Sequence, residues 1–188
     1  MKKLMTILLV MAVASGVAMA KIPMMYKVKS AMVVYNINGS MNGTETLYFD
    51  DYGKKEYRLT TAKVSIMGFT SESKTLNLRL DGVTYNADLK EKTGTKMTDK
   101  EAEEMLKKIS KGNPEDMADE VIKQLGGRKL GNETFMGKNC EVWEFTKIGT
   151  KGWYYKMVAL KIEMNMMGMN AVYTADKYEE NPSIPAGT

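Results

Sequence analysis

The sequence predicts an α+β fold: a strongly curved antiparallel β-sheet of about nine or ten strands, an unclosed half-barrel, capped by two helices. Three observations lead there. Apolar and polar residues alternate with period two from Tyr26 to Leu89 and again from Lys129 onward. Turn-forming glycine, asparagine and aspartate cut both stretches into hairpin-sized pieces. Between them, residues 93–127 switch to helical spacing. No linker divides this pattern, so residues 21–188 are expected to form a single domain.

The first strand is read over 26–38, "YKVKSAMVVYNIN", with Lys27 and Lys29 on one face and Val28, Met32 and Val34 on the other. "GSMNG" (39–43) turns the chain into "TETLYFDDY", where Leu47 and Phe49 point one way and Thr46, Tyr48 and Asp50 the other. Adjacent Asp50 and Asp51 would face opposite sides of a strand, which suits a turn better than an acid–base pair. The third strand, "KEYRLTTAKVSIMG" (55–68), alternates imperfectly and is expected to be bent or bulged. In "SKTLNLRL" the residues Leu76, Leu78 and Leu80 share a face; Asp81-Gly82 then leads into alternating Val83, Tyr85, Ala87 and Leu89. A two-residue Asp-Gly between alternating runs is a strong hairpin signal, because both positions of a type I′ turn need positive φ.

Thr98 with Glu101 forms a capping box, and Ala102, Met105, Leu106 and Ile109 follow at helical spacing up to Gly112. Asn113 and Pro114 open a second helix whose apolar stripe is Met117, Val121, Ile122 and Leu125; Gly126-Gly127 stops it. Strands resume with "RKLGNETFMG" and "KNCEVWEFTKIG", a hairpin around Gly137-Lys138. "KGWYYKMVALKIEMNMM" follows as one long strand, and "GMNAVYTADKYEE" is the last before Pro182 and Pro185.

Residues 1–20 read as an export signal cleaved after Ala20. Lys2 and Lys3 precede an apolar run, Leu4 to Val17, and Ala18-Met19-Ala20 is a small-residue cleavage site. The expected location is therefore the periplasm, with no transmembrane segment after cleavage. The formal charge of +4 includes Lys2 and Lys3, so the mature chain carries +2, too little to indicate nucleic acid. The chain has no histidine, which removes the usual Ser-His-Asp and Cys-His machinery and the commonest zinc and copper ligand. No pair of side chains makes an activated nucleophile, so no enzyme and no cofactor are expected. The lone Cys140 is a small buried apolar residue, a reactive thiol or one end of an intermolecular bridge.

Eighteen methionines in 188 residues set the other question. They crowd "EMNMMGMNAVY", where a thioether copper site, a pliable apolar cavity and an ordinary core compete. Alternation puts Leu160, Ile162, Met164 and Met166 on one strand face, so these methionines extend an apolar face rather than stand as an isolated cluster. No metal site is assigned.

The order of export signal, "GTETLYFDDYGKKEYR", "DGVTYNADL", a helical pair, "KLGNETFMGKNCEVWEF", "GWYYKMVALKIEM" and a terminal "IPAG" resembles periplasmic proteins of the LolA-like lipoprotein-carrier superfamily, as an uncharacterised branch of it. The resemblance covers nearly all of the chain after the leader. It implies an unclosed barrel whose concave face is covered by helices, and a cargo of lipid or lipoprotein acyl chains. It also implies that Arg58, in "KKEYR", contacts the helical lid. With that architecture the ligand would be lined by Met32, Val34, Leu47, Phe49, Leu78 and Leu80 from the early strands. Tyr85, Met105, Ile109, Met164 and Met166 would complete the lining. The rival expectation is an envelope interaction module with a filled core, which binds a protein partner and no ligand.

Overall fold

The computed structural model describes residues 25–66, 68–102, 104, 117–166 and 169–183. The expected export signal (1–20), Met105, Ile109, the Gly112 stop, the Asn113-Pro114 start, Met167-Gly168 and Pro185 lie outside these residues.

Among the described residues eleven strands form one antiparallel sheet. In chain order they are β1 Ala31–Gly39, β2 Met41–Asp50, β3 Lys55–Ile66, β4 Phe69–Leu80, β5 Val83–Asp88, β6 Thr93–Thr98, β7 Gly127–Phe135, β8 Lys138–Phe145, β9 Thr150–Tyr155, β10 Val158–Met166 and β11 Met169–Glu180. Their spatial order is β6-β5-β4-β3-β2-β1-β11-β10-β9-β8-β7, so β6 and β7 are edges and the sheet does not close through them. Every neighbouring pair but one is a consecutive hairpin or meander step. The exception is β1 with β11, which joins the two halves at the centre.

The sheet is curled. Ser73, Thr75 and Asn77 of β4 and Tyr154 of β9 line one cavity, although six ladder steps separate these strands. In a flat sheet six steps span about 29 Å. The buried core lies within this curl: Val33, Tyr35 and Ile37 of β1, Leu47 and Phe49 of β2, Ile162 of β10, and Ala171, Tyr173 and Ala175 of β11.

Register settles which residues look inward, because directly opposed residues share a face. Val33, Leu47, Arg58 and Asn77 form one cross-strand row on the inner face. Met32, Tyr48, Tyr57, Leu78 and Tyr85 form the adjacent row, on the outer face. Along the part of β3, β4 and β5 that faces the cavity the inner positions are polar, Arg58, Thr60, Thr75, Asn77 and Asn86, whereas Ala62 and Val64 farther along β3 join the apolar core. On the outer face of the same part lie Tyr57, Leu59, Leu76, Leu78, Leu80 and Tyr85, with Leu80 at 42% and Tyr85 at 44% exposed.

Several expectations change. Residues 25–30 do not extend β1; they cross one end of the sheet as a strap. The strap is tied by backbone bonds from Met25 N to Tyr52 O (2.8 Å), Lys27 N to Lys156 O (2.9 Å) and Asn181 N to Ser30 O (2.9 Å). β3 carries no bulge against either neighbour; its alternation looks imperfect because polar Arg58 and Thr60 occupy inward positions. Residues 150–166 are two strands. The turn is Lys156-Met157, both at positive φ (51° and 66°), which carries no glycine or asparagine to announce it. Residues 93–98 fall within the stretch whose spacing predicts helix, yet "TGTKMT", with no apolar alternation, forms the edge strand β6 through pairing with β5.

The Asp81-Gly82 hairpin forms as expected, with φ of 51° and 74°. The capping box also forms: Thr98 N donates to Glu101 Oε2 (2.7 Å) and Glu101 N to Thr98 Oγ1 (3.2 Å). Residues 99–102 and 104 are helical, and α1 spans Met117–Gln124 beside β7, ending where Gly126 takes φ of 69°. Among the described residues the helical cap is thus a minor part of a predominantly β structure.

Candidate site: a cavity inside the curl

A cavity of about 110 Å³ lies within the curled sheet. Its apolar lining is Leu47, Ile162, Ala159 and the thioethers Met41, Met157 and Met164. Tyr26, Tyr35, Tyr154 and Tyr173 add four rings. The polar side is Glu45, Arg58, Thr60, Ser73, Thr75 and Asn77. Strands β1, β2, β3, β4, β9, β10 and β11 bear residues close enough to share this space because of the curvature, and Tyr26 comes from the strap.

One buried ion cluster organises the polar side. Arg58 Nη1 donates to Glu45 Oε1 at 2.7 Å and Arg58 Nε to Glu56 Oε1 at 3.2 Å. The other oxygens are also bound: Thr60 Oγ1 donates to Glu45 Oε2 (2.7 Å) and Tyr26 OH to Glu56 Oε2 (2.7 Å). The three charged side chains are only 12% (Arg58), 7% (Glu45) and 13% (Glu56) exposed. Burial works against the guanidinium charge, but Glu45 and Glu56 outweigh it and hold the pKa of Arg58 well above the ordinary arginine range. Such an arrangement is costly to desolvate and tolerable only because its hydrogen bonds are made.

The tyrosines are held neutral. Burial raises Tyr26, Tyr35 and Tyr173 well above 10, and raises Tyr154 to about 12. Tyr35 OH donates to the Ala159 carbonyl (2.7 Å), linking β1 to β10, and the Tyr35 and Tyr173 rings meet edge to face at 6.5 Å. Tyr26 stacks on Phe49 with centroids 3.9 Å apart, which seats the strap over one end of the curl.

The expected ligand residues fall on two faces. Leu47 and Met164 line the cavity; Phe49 and Met166 share its face, Phe49 beneath the strap and Met166 at the β10–β11 turn. Met32, Val34, Leu78, Leu80 and Tyr85 lie on the opposite face. Met105 and Ile109 are outside the described residues. Arg58 lines the cavity, and its described bonds run to Glu45 on the neighbouring β2 and to Glu56 two residues before it on β3. Tyr26, Tyr35, Glu45, Thr60, Tyr154 and Tyr173 were not anticipated. Glu45 did carry a signal, since an acid at the same parity as Leu47 and Phe49 must turn inward and needs a cation.

Cys140 is fully buried, and burial raises its thiol pKa, with the Phe135 N–H working the other way. Among the described residues no group of three or more His, Cys, Asp or Glu is placed to hold a metal ion.

No family model matches the sequence, and no curated protein matches it. Solved structures similar in outline include the following two. The crystal structure of LprF from Mycobacterium bovis is 13% identical, with a TM-score of 0.37 over 84% of this chain and 89% of that one. A DUF1329 family protein from Desulfovibrio piger is 11% identical, with a TM-score of 0.27 over 92% of this chain and 95% of that one. Likenesses of this size leave the reading of the site to its own residues.

Proposed function

We propose that this chain is an exported, periplasmic, non-enzymatic binding protein that holds an apolar chain, from a lipid or the acyl part of a lipoprotein, inside the curl of its sheet. The observation that carries this reading is the cavity enclosed by Leu47, Ile162, three methionines and four tyrosines. At about 110 Å³ it is somewhat smaller than the void of roughly 150 Å³ that accepts benzene in another protein. Each buried methylene contributes about 0.8 kcal/mol, so micromolar binding, near −8 kcal/mol, needs about ten of them. The resting cavity is too small for ten. Met41, Met157 and Met164 supply the difference: unbranched thioether side chains can swing aside and repack around a longer guest.

The test is native mass spectrometry with lipid extraction of the protein purified from cells, followed by titration of the delipidated protein with a neutral fluorescent alkyl probe. A co-purified apolar ligand and saturable binding that Met164→Trp abolishes without unfolding support the reading. Absence of both refutes it.

A second reading rests on a different observation. The outer face of β4 and β5 leaves Leu80 and Tyr85 more than two-fifths exposed. An envelope interaction module would use that surface against a protein partner. It is favoured if no ligand is found and Tyr85→Ser or Leu80→Ser removes a reproducible partner while the fold persists.

A further inference from the structure

The charges on the cavity wall cancel. Glu45 and Arg58 are the only charged residues among its described lining, and they are bonded to each other at 2.7 Å. Beyond the lining, Glu56 stands directly across from Arg79 on β4, and both side chains are 13% exposed. The cluster thus holds two carboxylates and two guanidiniums and offers neither sign in excess. The same wall carries uncharged polar groups of a different kind. Ser73, Thr75 and Asn77 line the cavity from β4, half-buried, and their side chains make no hydrogen bond among the described residues. Asn86 continues the row on β5, directly opposite Asn77, and its Oδ1 is buried without a partner among the described residues. Elsewhere on the wall the polar groups are used: Thr60 donates to Glu45 and Tyr35 to the Ala159 carbonyl. The bonding capacity left open by folding is therefore concentrated on one strand, and it is neutral.

Resting on the binding function proposed above, we infer that the cavity takes a chain whose polar end is uncharged and hydrogen-bonding, an alcohol or an amide, in preference to the same chain ending in a carboxylate or an ammonium. The head lies against β4, where the Thr75 hydroxyl and the Asn77 amide can each donate and accept. An ionic head loses hydration on entering and finds no free counter-charge. A carboxylate would have to share Arg58 with Glu45 and Glu56, and an ammonium would have to share Glu45 with Arg58 and Thr60. A hydroxyl or amide gives up far less hydration and regains its bonds from the wall.

The experiment is calorimetric titration of the delipidated protein with decanol, decanoate and decylammonium, each below its solubility or micelle limit. At pH 7 the acid is ionised and the amine protonated, so the three probes differ in head charge on one chain. Decanol is expected to bind about tenfold tighter than either ion. Two variants locate the head. In Thr75→Val, which keeps the shape of the side chain, and in Asn77→Leu, decanol is expected to lose about three- to tenfold in affinity. Either variant, folded by circular dichroism, suffices for this. Equal affinities for the three probes overturn the inference, since the head would then lie in water. Tighter binding of decanoate overturns it by showing that Arg58 takes the ligand, and tighter binding of decylammonium by showing that Glu45 does. Undiminished decanol binding in the folded variants overturns it as well. All these outcomes leave the binding function standing, whereas binding of none of the probes overturns that function together with the inference.

Discussion

Replacing Arg58 by methionine is the sharpest perturbation of this fold. The side chains are similar in reach, so packing is largely kept while the charge goes. Glu45 and Glu56 are then left with Thr60 and Tyr26 as their described side-chain donors, at 7% and 13% exposure. Removing one partner from a buried, hydrogen-bonded ion pair costs about 3–5 kcal/mol, because the remaining charge stays desolvated. With a urea slope near 2 kcal/mol per molar, the midpoint should fall by about 1.5–2.5 M. The loss should be reversible by chemistry: adding Glu45→Gln and Glu56→Gln to Arg58→Met removes the stranded charges and should recover most of the stability. The assay is urea denaturation by circular dichroism on the single, double and triple variants, read as a mutant cycle. A cost for Arg58→Met below about 1 kcal/mol, the range of exposed pairs, would refute the claim that the sheet curls tightly enough to bury this cluster.

Two further outcomes follow from the same burial. Tyr26, Tyr35, Tyr154 and Tyr173 have pKa values raised by burial, so the stability they confer is fully present below the unfolded value near 10. It is lost as pH rises through the folded values, about 12 for Tyr154. The urea midpoint should hold up to about pH 10 and fall above it, with tyrosinate absorbance appearing together with unfolding; gradual ionisation of these tyrosines in the folded protein near pH 10 would contradict this. Cys140, fully buried and with its pKa raised by burial, should resist a thiol reagent in the native protein and react completely once urea unfolds it; rapid native labelling would show that β8 is not packed as described.

Most of the hairpin architecture was legible because it is written locally. Asp81-Gly82 and the Thr98–Glu101 box depend on neighbours in sequence, and both form. The Lys156-Met157 turn was not legible, since its positive φ values are imposed by the flanking strands on residues that do not prefer them. The site was harder for a different reason. Reading Leu78 and Leu80 as inward assumes that the apolar face of every strand faces the same interior. On β3 to β5 the polar face turns inward because Arg58 and its neighbours answer Glu45, a residue on another strand. Alternation reveals that a strand has two faces; only register with its partners says which one is enclosed. Along β1, where Met32, Val33 and Val34 are all apolar, it reveals neither.

The seam between β1 and β11 has a consequence for how the molecule comes into being. Tyr35 is matched with Ala175 and Ile37 with Tyr173, so the middle of the sheet is assembled from opposite extremes of the polypeptide. A chain emerging from its first residue onward can make hairpins early, but it has no centre until the final strand arrives. Until then β1 presents a bare hydrogen-bonding edge of greasy residues, an invitation to sticking between copies. The same delay keeps the sheet in two unjoined halves, and the molecule locks only when β11 reaches β1.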